Sequence, residues 1–215
     1  MLNESWATLW EALAAKQPDH VAVVIGDTHI RWRDLDDRAS RIASLLTEFG
    51  VGHDAKVGQL LFNCPEYLET AYASFKVRAS TVNVNYRYLD EELLYLLDNS
   101  DAEALFFHSS LGDRVARVVD RLPKLKLLVE VSDDGEHHVV SAVPYNTLVT
   151  DYDPMPRITR DEDAIEALEA DLMAFAQMVK TYETKLRTAL ANGDCSTSAF
   201  ATCSMKSWFQ SVNLK

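Results

Sequence analysis

Apolar positions change spacing along this chain in a way that predicts alternating helices and strands. Leu2, Trp6, Leu9, Trp10 and Leu13 recur at helical spacing, predicting an amphipathic helix over residues 3–15 that Pro18 ends. Trp6 and Trp10 read as part of a core-facing stripe. Val21 to Ile25 is a short apolar strand, Gly26-Asp27 a turn, and His29 to Trp32 a returning strand. Leu35, Ala39, Ile42, Leu46 and Phe49 mark a helix that Gly50 stops. Lys56 to Phe62 reads as a buried strand. Pro65 then opens a helix through Tyr67, Leu68, Ala71 and Phe75, at a first-turn position where a missing N–H leaves no bond unmade. Thr81 to Val84 is a strand, and Asp90 starts a helix through Leu93, Leu94 and Leu97. Ala104 to Phe107 is a strand, Leu111 to Leu122 a helix, Leu125 to Val131 a strand, and Asp133-Asp134-Gly135 a turn. This alternation predicts an α/β fold with a mainly parallel sheet and flanking helices.

A boundary is expected in residues 151–160, where Pro154 and Pro156 stand among polar residues and no proline follows. Beyond it the pattern changes. Ile165, Leu168, Leu172, Phe175, Val179, Tyr182 and Leu186 alternate spacings of 3 and 4, which makes a heptad seam. Thr159 and Glu162 match a capping box, and Asn192-Gly193 is a stop signal. Acidic residues gather near the start (Asp161, Glu162, Asp163, Glu166) and basic ones near the end (Lys180, Lys185, Arg187), as the helix dipole favours. Two readings stand side by side. Residues 160–192 either associate with a second copy or a partner helix, or dock on the chain's own domain. The expected organisation is a lobe over residues 1–156, an amphipathic helix over 157–192, and a poorly ordered Ser/Thr-rich tail over 193–215.

With 215 residues, 47% of them hydrophobic, the chain suffices for one core plus an appendage. The formal net charge of −12 argues against nucleic acid and anionic membrane surfaces as partners. Three cysteines (Cys64, Cys195 and Cys203) with no Cys-x-x-Cys pair argue against a disulfide framework or a zinc site. No apolar run approaches the ~20 residues of a membrane helix, and the N-terminus lacks the basic start of a secretion signal. A cytoplasmic location is therefore expected.

Few residues stand out as chemistry. Asn83, Asn85 and Arg87 fall at a strand end, where α/β proteins bind ligands. The preferred reading is plainer: Asn85 forms a turn, and Arg87 pairs with Asp90 or Glu91. His137-His138 would point to opposite faces of a strand, which disfavours metal binding. Cys64 at a helix start invites a nucleophile reading, but with no base nearby in sequence it reads better as a small buried residue.

Several segments in order carry a resemblance. Thr28-His29-Ile30-Arg31-Trp32-Arg33-Asp34-Leu35-Asp36-Asp37-Arg38-Ala39 is the first, and Gly50-Val51-Gly52-His53-Asp54-Ala55-Lys56-Val57 the second. Leu61-Phe62-Asn63-Cys64-Pro65-Glu66-Tyr67 follows. Next come Phe75-Lys76-Val77-Arg78-Ala79 and Val82-Asn83-Val84-Asn85-Tyr86-Arg87, then Glu91-Glu92-Leu93 and Tyr95-Leu96-Leu97. Pro154-Met155-Pro156-Arg157-Ile158-Thr159-Arg160 closes the series. Together they resemble the front of adenylate-forming (AMP-binding) acyl-CoA synthetases, of the actinobacterial fatty-acid and sterol-side-chain type. The resemblance implies attack of a carboxylate on the α-phosphate of ATP, giving an acyl-adenylate and pyrophosphate, followed by displacement of AMP by coenzyme A. It implies ATP, magnesium and coenzyme A as the family's cofactors. The family grips phosphate with a glycine-rich loop placed after the position of Asp163. Here Ala164 to Leu172 reads as helix, and no glycine falls between Gly135 and Gly193. Such a loop needs closely spaced glycines to bring backbone N–H groups onto phosphate. No cofactor and no catalytic residue is therefore assigned to this chain, which is expected to be inactive alone. The alternative is a non-catalytic scaffold that associates through the heptad helix.

Overall fold

The structure is a computed structural model and describes residues 5–133, 139 and 141–158. The chain divides into two units, Met1–Glu166 and Ala167–Lys215, and every described residue belongs to the first. The heptad seam from Ile165 to Leu186 and the His137-His138 pair lie outside the described residues.

Helix α1 (Trp6–Lys16) starts on Ser5, whose hydroxyl accepts from the Thr8 N–H at 3.2 Å. Its buried face differs from the expected stripe. Ala7, Glu11 and Ala14 are buried, whereas Trp6 is 41% and Leu9 39% exposed. Small alanines let α1 sit close to its neighbours, and Glu11 turns inward because its ionic partner is there. Trp10 remains half-buried, with its ring edge-on to Trp32, Tyr72 and Phe75. Strands β1 (Val21–Ile25) and β2 (Thr28–Arg31) form a separate antiparallel hairpin around Gly26. Trp32, expected to end the second strand, instead begins α2 (Trp32–Glu48). That helix buries Leu35, Ala39, Ile42, Leu45 and Leu46, and Gly50 ends it with a positive φ.

The main sheet is fully parallel: β3 (Lys56–Leu60), β4 (Ser80–Asn83), β5 (Ala102–His108), β6 (Leu127–Val131) and β7 (Val143–Pro144), in the order β4-β3-β5-β6-β7. Helix α3 (Pro65–Lys76) joins β3 to β4, and α4 (Asp90–Asn99) joins β4 to β5. Two apolar layers result. One packs α2 and α3 against Val57, Phe106 and Val129 of the sheet, together with Tyr145 and Leu148. The other packs Leu93 and Leu97 of α4, and Val115 and Val118, against Leu60, Leu105 and Phe107. Covered on both faces, the central strands read as near-continuous apolar runs.

The stretch expected as one helix from Leu111 to Leu122 is broken into a 3₁₀ turn (Ser109–Leu111), α5 (Gly112–Val118) and a second 3₁₀ turn (Val119–Arg121). Pro123 holds Leu122 out of the helical region and stops the helix early. Strand β7 and helix α6 (Tyr145–Asp151) were not anticipated, because two residues of strand leave no periodicity to read. Strands β3, β4 and β5 are each entered through a non-glycine residue in the left-handed region: Asp54 (φ 63), Arg78 (φ 66) and Asp101 (φ 55).

Candidate functional site

A parallel sheet places ligands outside the carboxyl ends of its strands, where the chain reverses its direction of winding. Here β3 is laid first, β4 joins one side and β5 the other, so the switch point lies between the ends of β3 and β5. Phe62 leaves β3 at that point, and its ring stacks on His108 of β5 with centroids 5.0 Å apart. Tyr86, after β4, meets Phe62 edge-on at 5.0 Å. The Phe62 N–H donates to Nδ1 of His108 at 3.1 Å. Burial holds the His108 pKa below its ordinary value, against the opposing pull of Asp133 and Glu66. Asp133 is itself engaged: its carboxylate accepts from the Ser109 hydroxyl at 2.6 Å and the Ser110 N–H at 2.9 Å.

The sequence candidates fare unevenly. Asn85 does form a turn: its Oδ1 accepts from the Arg87 N–H at 3.0 Å, and its carbonyl accepts from the Tyr88 N–H at 3.0 Å. The expected pairing of Arg87 with Asp90 or Glu91 is overturned. Asp90 is held by Arg117 at 2.6 Å and Glu91 by Arg121 at 2.8 Å, both across from α4, while Arg87 lies 5.7 Å from the Tyr86 ring. Sequence distance favoured Arg87, but the two arginines on the neighbouring turns face the carboxylates directly. Asn83 is exposed at the end of β4. Cys64 caps α3 without a side-chain hydrogen bond, and burial pushes its thiol up to about 12, which suits a structural residue.

Two buried ionic clusters escaped sequence reasoning. Lys76, 2% exposed, donates to Glu11 at 2.9 Å and to Asp36 at 2.7 Å. Tyr72 donates to the same Asp36 oxygen at 2.6 Å, and Arg157 reaches its other oxygen at 3.5 Å. Burial alone would raise Asp36, but the bonds from Lys76 and Tyr72 outweigh it and hold the carboxyl below its usual range. The stability that Asp36 contributes is thus present above the ordinary carboxylate pKa and is lost as pH falls through its lowered folded value. Glu69, fully buried, accepts from Arg38 at 3.0 Å and from the Tyr145 hydroxyl. Burial pushes Glu69 up despite these partners, so its effect on stability has the opposite sign, favouring the fold at lower pH. Residues 152–157 are strapped along α2. Arg41 donates to the Tyr152 carbonyl at 2.6 Å, Ser44 to the Asp153 carbonyl at 2.7 Å, and the Met155 N–H to the Ser40 carbonyl at 3.0 Å.

Two shallow depressions, ≈ 440 and ≈ 340 Å³, are lined by residues 16–20 and by His29, Ile30, Asp34, Asp37 and Arg38. Both are lined by residues of α1, the hairpin, α2 and their connections, none of them from β3 to β7. Among the described residues no group of three or more His, Cys, Asp or Glu is placed to hold a metal ion. Helix α3, which opens at the switch point, carries Glu66 in its first turn, where a phosphate would need a positive field. Among the described residues no helix is long and apolar enough to cross a membrane.

Known proteins place this lobe. The medium-chain acyl-CoA ligase Mig of Mycobacterium avium is 32% identical over 160 residues, covering 68% of this chain and 29% of that protein. The 3-oxocholest-4-en-26-oate–CoA ligase of Rhodococcus rhodochrous is 36% identical over 139 residues, 64% of this chain and 25% of that protein. The chain thus spans between a quarter and a third of the length of these curated relatives. Among solved structures, the anthranilate CoA ligase AuaEII has a TM-score of 0.67 at 19% identity, over 75% of this chain and 30% of that one. Acetoacetyl-CoA synthetase from Streptomyces lividans has the same TM-score and identity, over 73% and 26%. At that identity the two show the fold, an α/β lobe with a parallel sheet. A family model described as AMP-binding enzyme matches residues 10–180, a stretch that runs past Asp163. The chain belongs to the AMP-binding enzyme family.

Proposed function

We propose that this chain is the front lobe of an ATP-dependent ligase that joins a fatty or sterol-side-chain acid to coenzyme A, and that it does not perform the reaction alone. The relatives' names supply the substrate class: medium-chain acyl, medium/long-chain fatty acid and 3-oxocholest-4-en-26-oate. The observation that carries the second half is the glycine-free stretch between Gly135 and Gly193. Without closely spaced glycines, no segment there can wrap phosphates in backbone N–H groups. Calorimetric titration of the chain with Mg-ATP is expected to give no saturable heat. A micromolar dissociation constant would overturn this reading.

The heptad pattern supports a second role, association through residues 160–192. Most helical stability comes from packing of an amphipathic face, so such a helix needs its apolar seam covered. Leu172→Asp places a charge in that seam. If the seam joins two chains, the variant is expected to turn a dimer into a monomer in light scattering while the lobe stays folded. If the seam packs on the chain's own domain, the wild type is monomeric and the variant melts at a lower temperature. No change in mass or melting would remove the heptad reading.

A further inference from the structure

His108 sits where three strands end and makes an unusual bond there. An imidazole nitrogen that accepts from a backbone N–H must be unprotonated, so the Phe62 N–H donating to Nδ1 fixes His108 as neutral, with its proton on Nε2. The side chain is nearly enclosed, with 5% of the residue exposed. Its ring lies against the Phe62 ring at 30°, and Phe62 in turn braces Tyr86. A single backbone donor and two ring contacts thus tie the exits of β3, β4 and β5 together.

We propose that His108 is a proton-operated latch on the connection from β3 to α3. Neutral, it accepts from Phe62 and keeps the mouth of the sheet closed. Protonated, it presents an N–H to an N–H; the bond is lost, and Phe62 is released from β5. Two carboxylates act on this proton, from two elements. Glu66 of α3 and Asp133 after β6 favour protonation, although Asp133 is already occupied by Ser109 and Ser110. Burial opposes the proton and prevails, so the latch holds to more acidic pH than an ordinary histidine would allow. The sign for stability follows. The unfolded chain takes up the proton near pH ~6.5 and the folded chain only below that, so stability is complete above the first value and is lost as pH falls toward the second.

The test uses the full chain in solution. Long-range proton–nitrogen correlation at pH 7.5 is expected to show His108 with its proton on Nε2. On titration to pH 5, the His108 ring and the Phe62 amide are expected to change with one shared midpoint below 6.5. The Phe62 exchange protection factor should fall by about three- to tenfold across it, the size expected for one net hydrogen bond. His108→Phe keeps a flat ring against Phe62 but removes the acceptor. It should leave the Phe62 amide poorly protected at every pH and abolish the titration. A proton on Nδ1, or a Phe62 amide whose shift and protection ignore the protonation of His108, would overturn the latch, and both readouts come from the wild type.

Discussion

Replacing Lys76 with alanine is expected to lower the unfolding free energy by about 3–5 kcal/mol, the range for removing one partner of a buried ion pair. The ammonium is almost wholly enclosed and serves two carboxylates at once, Glu11 from α1 and Asp36 from α2. Without it, Glu11, which is 5% exposed, loses its ion pair with Lys76. Asp36 loses the same cation but keeps Tyr72 and Arg157 within reach. Equilibrium urea unfolding followed by circular dichroism measures the loss. A loss below about 1 kcal/mol, the size of a surface pair, would mean that water already reaches the cluster.

A loss of similar size, about 3–5 kcal/mol, is expected for Phe106→Ala. Phe106 lies on the central strand β5, paired with Gln59 of β3 on one side and Val129 of β6 on the other. It is fully buried in the layer under α2 and α3. The backbone around it is held by two ladders and cannot close over the space left behind. The same unfolding experiment reads the effect. An unchanged midpoint would show that the helices above the sheet relax freely, contrary to a close-packed interior.

These two residues also mark what was legible in the sequence. Phe106 was, because Ala104 to Phe107 is an apolar run bounded by polar residues, and the other parallel strands of the main sheet except β7 were also anticipated. Lys76 was not. Its partner Glu11 lies 65 residues away, and nothing local marks a lysine as buried. The face of α1 was misread for the same reason. Spacing alone favoured Trp6 and Leu9 over Ala7 and Ala14, and only the tertiary partner decides between them. At the strand ends the turn at Asn85 was readable from residue type, while the arginines that hold α4 were not. His108 escaped notice because its role depends on Phe62, 46 positions earlier. What sequence reading reaches is local chemistry and period; what it misses is the pairing of distant charges.

The left-handed residues at the strand entries, Asp54, Arg78 and Asp101, have a consequence for redesign. All three stand at the amino edge of the sheet, opposite the aromatic mouth at its carboxyl edge. A side chain in that conformation carries a strain of about 1–2 kcal/mol, whereas glycine's extra chain freedom costs about 0.5–1 kcal/mol. Strain in many proteins is stored beside the chemistry and cannot be relieved without harming it. In this lobe the strained residues and the aromatic cluster of Phe62, Tyr86 and His108 are at opposite ends of the same strands. The amino edge is therefore open to engineering for robustness without touching that cluster.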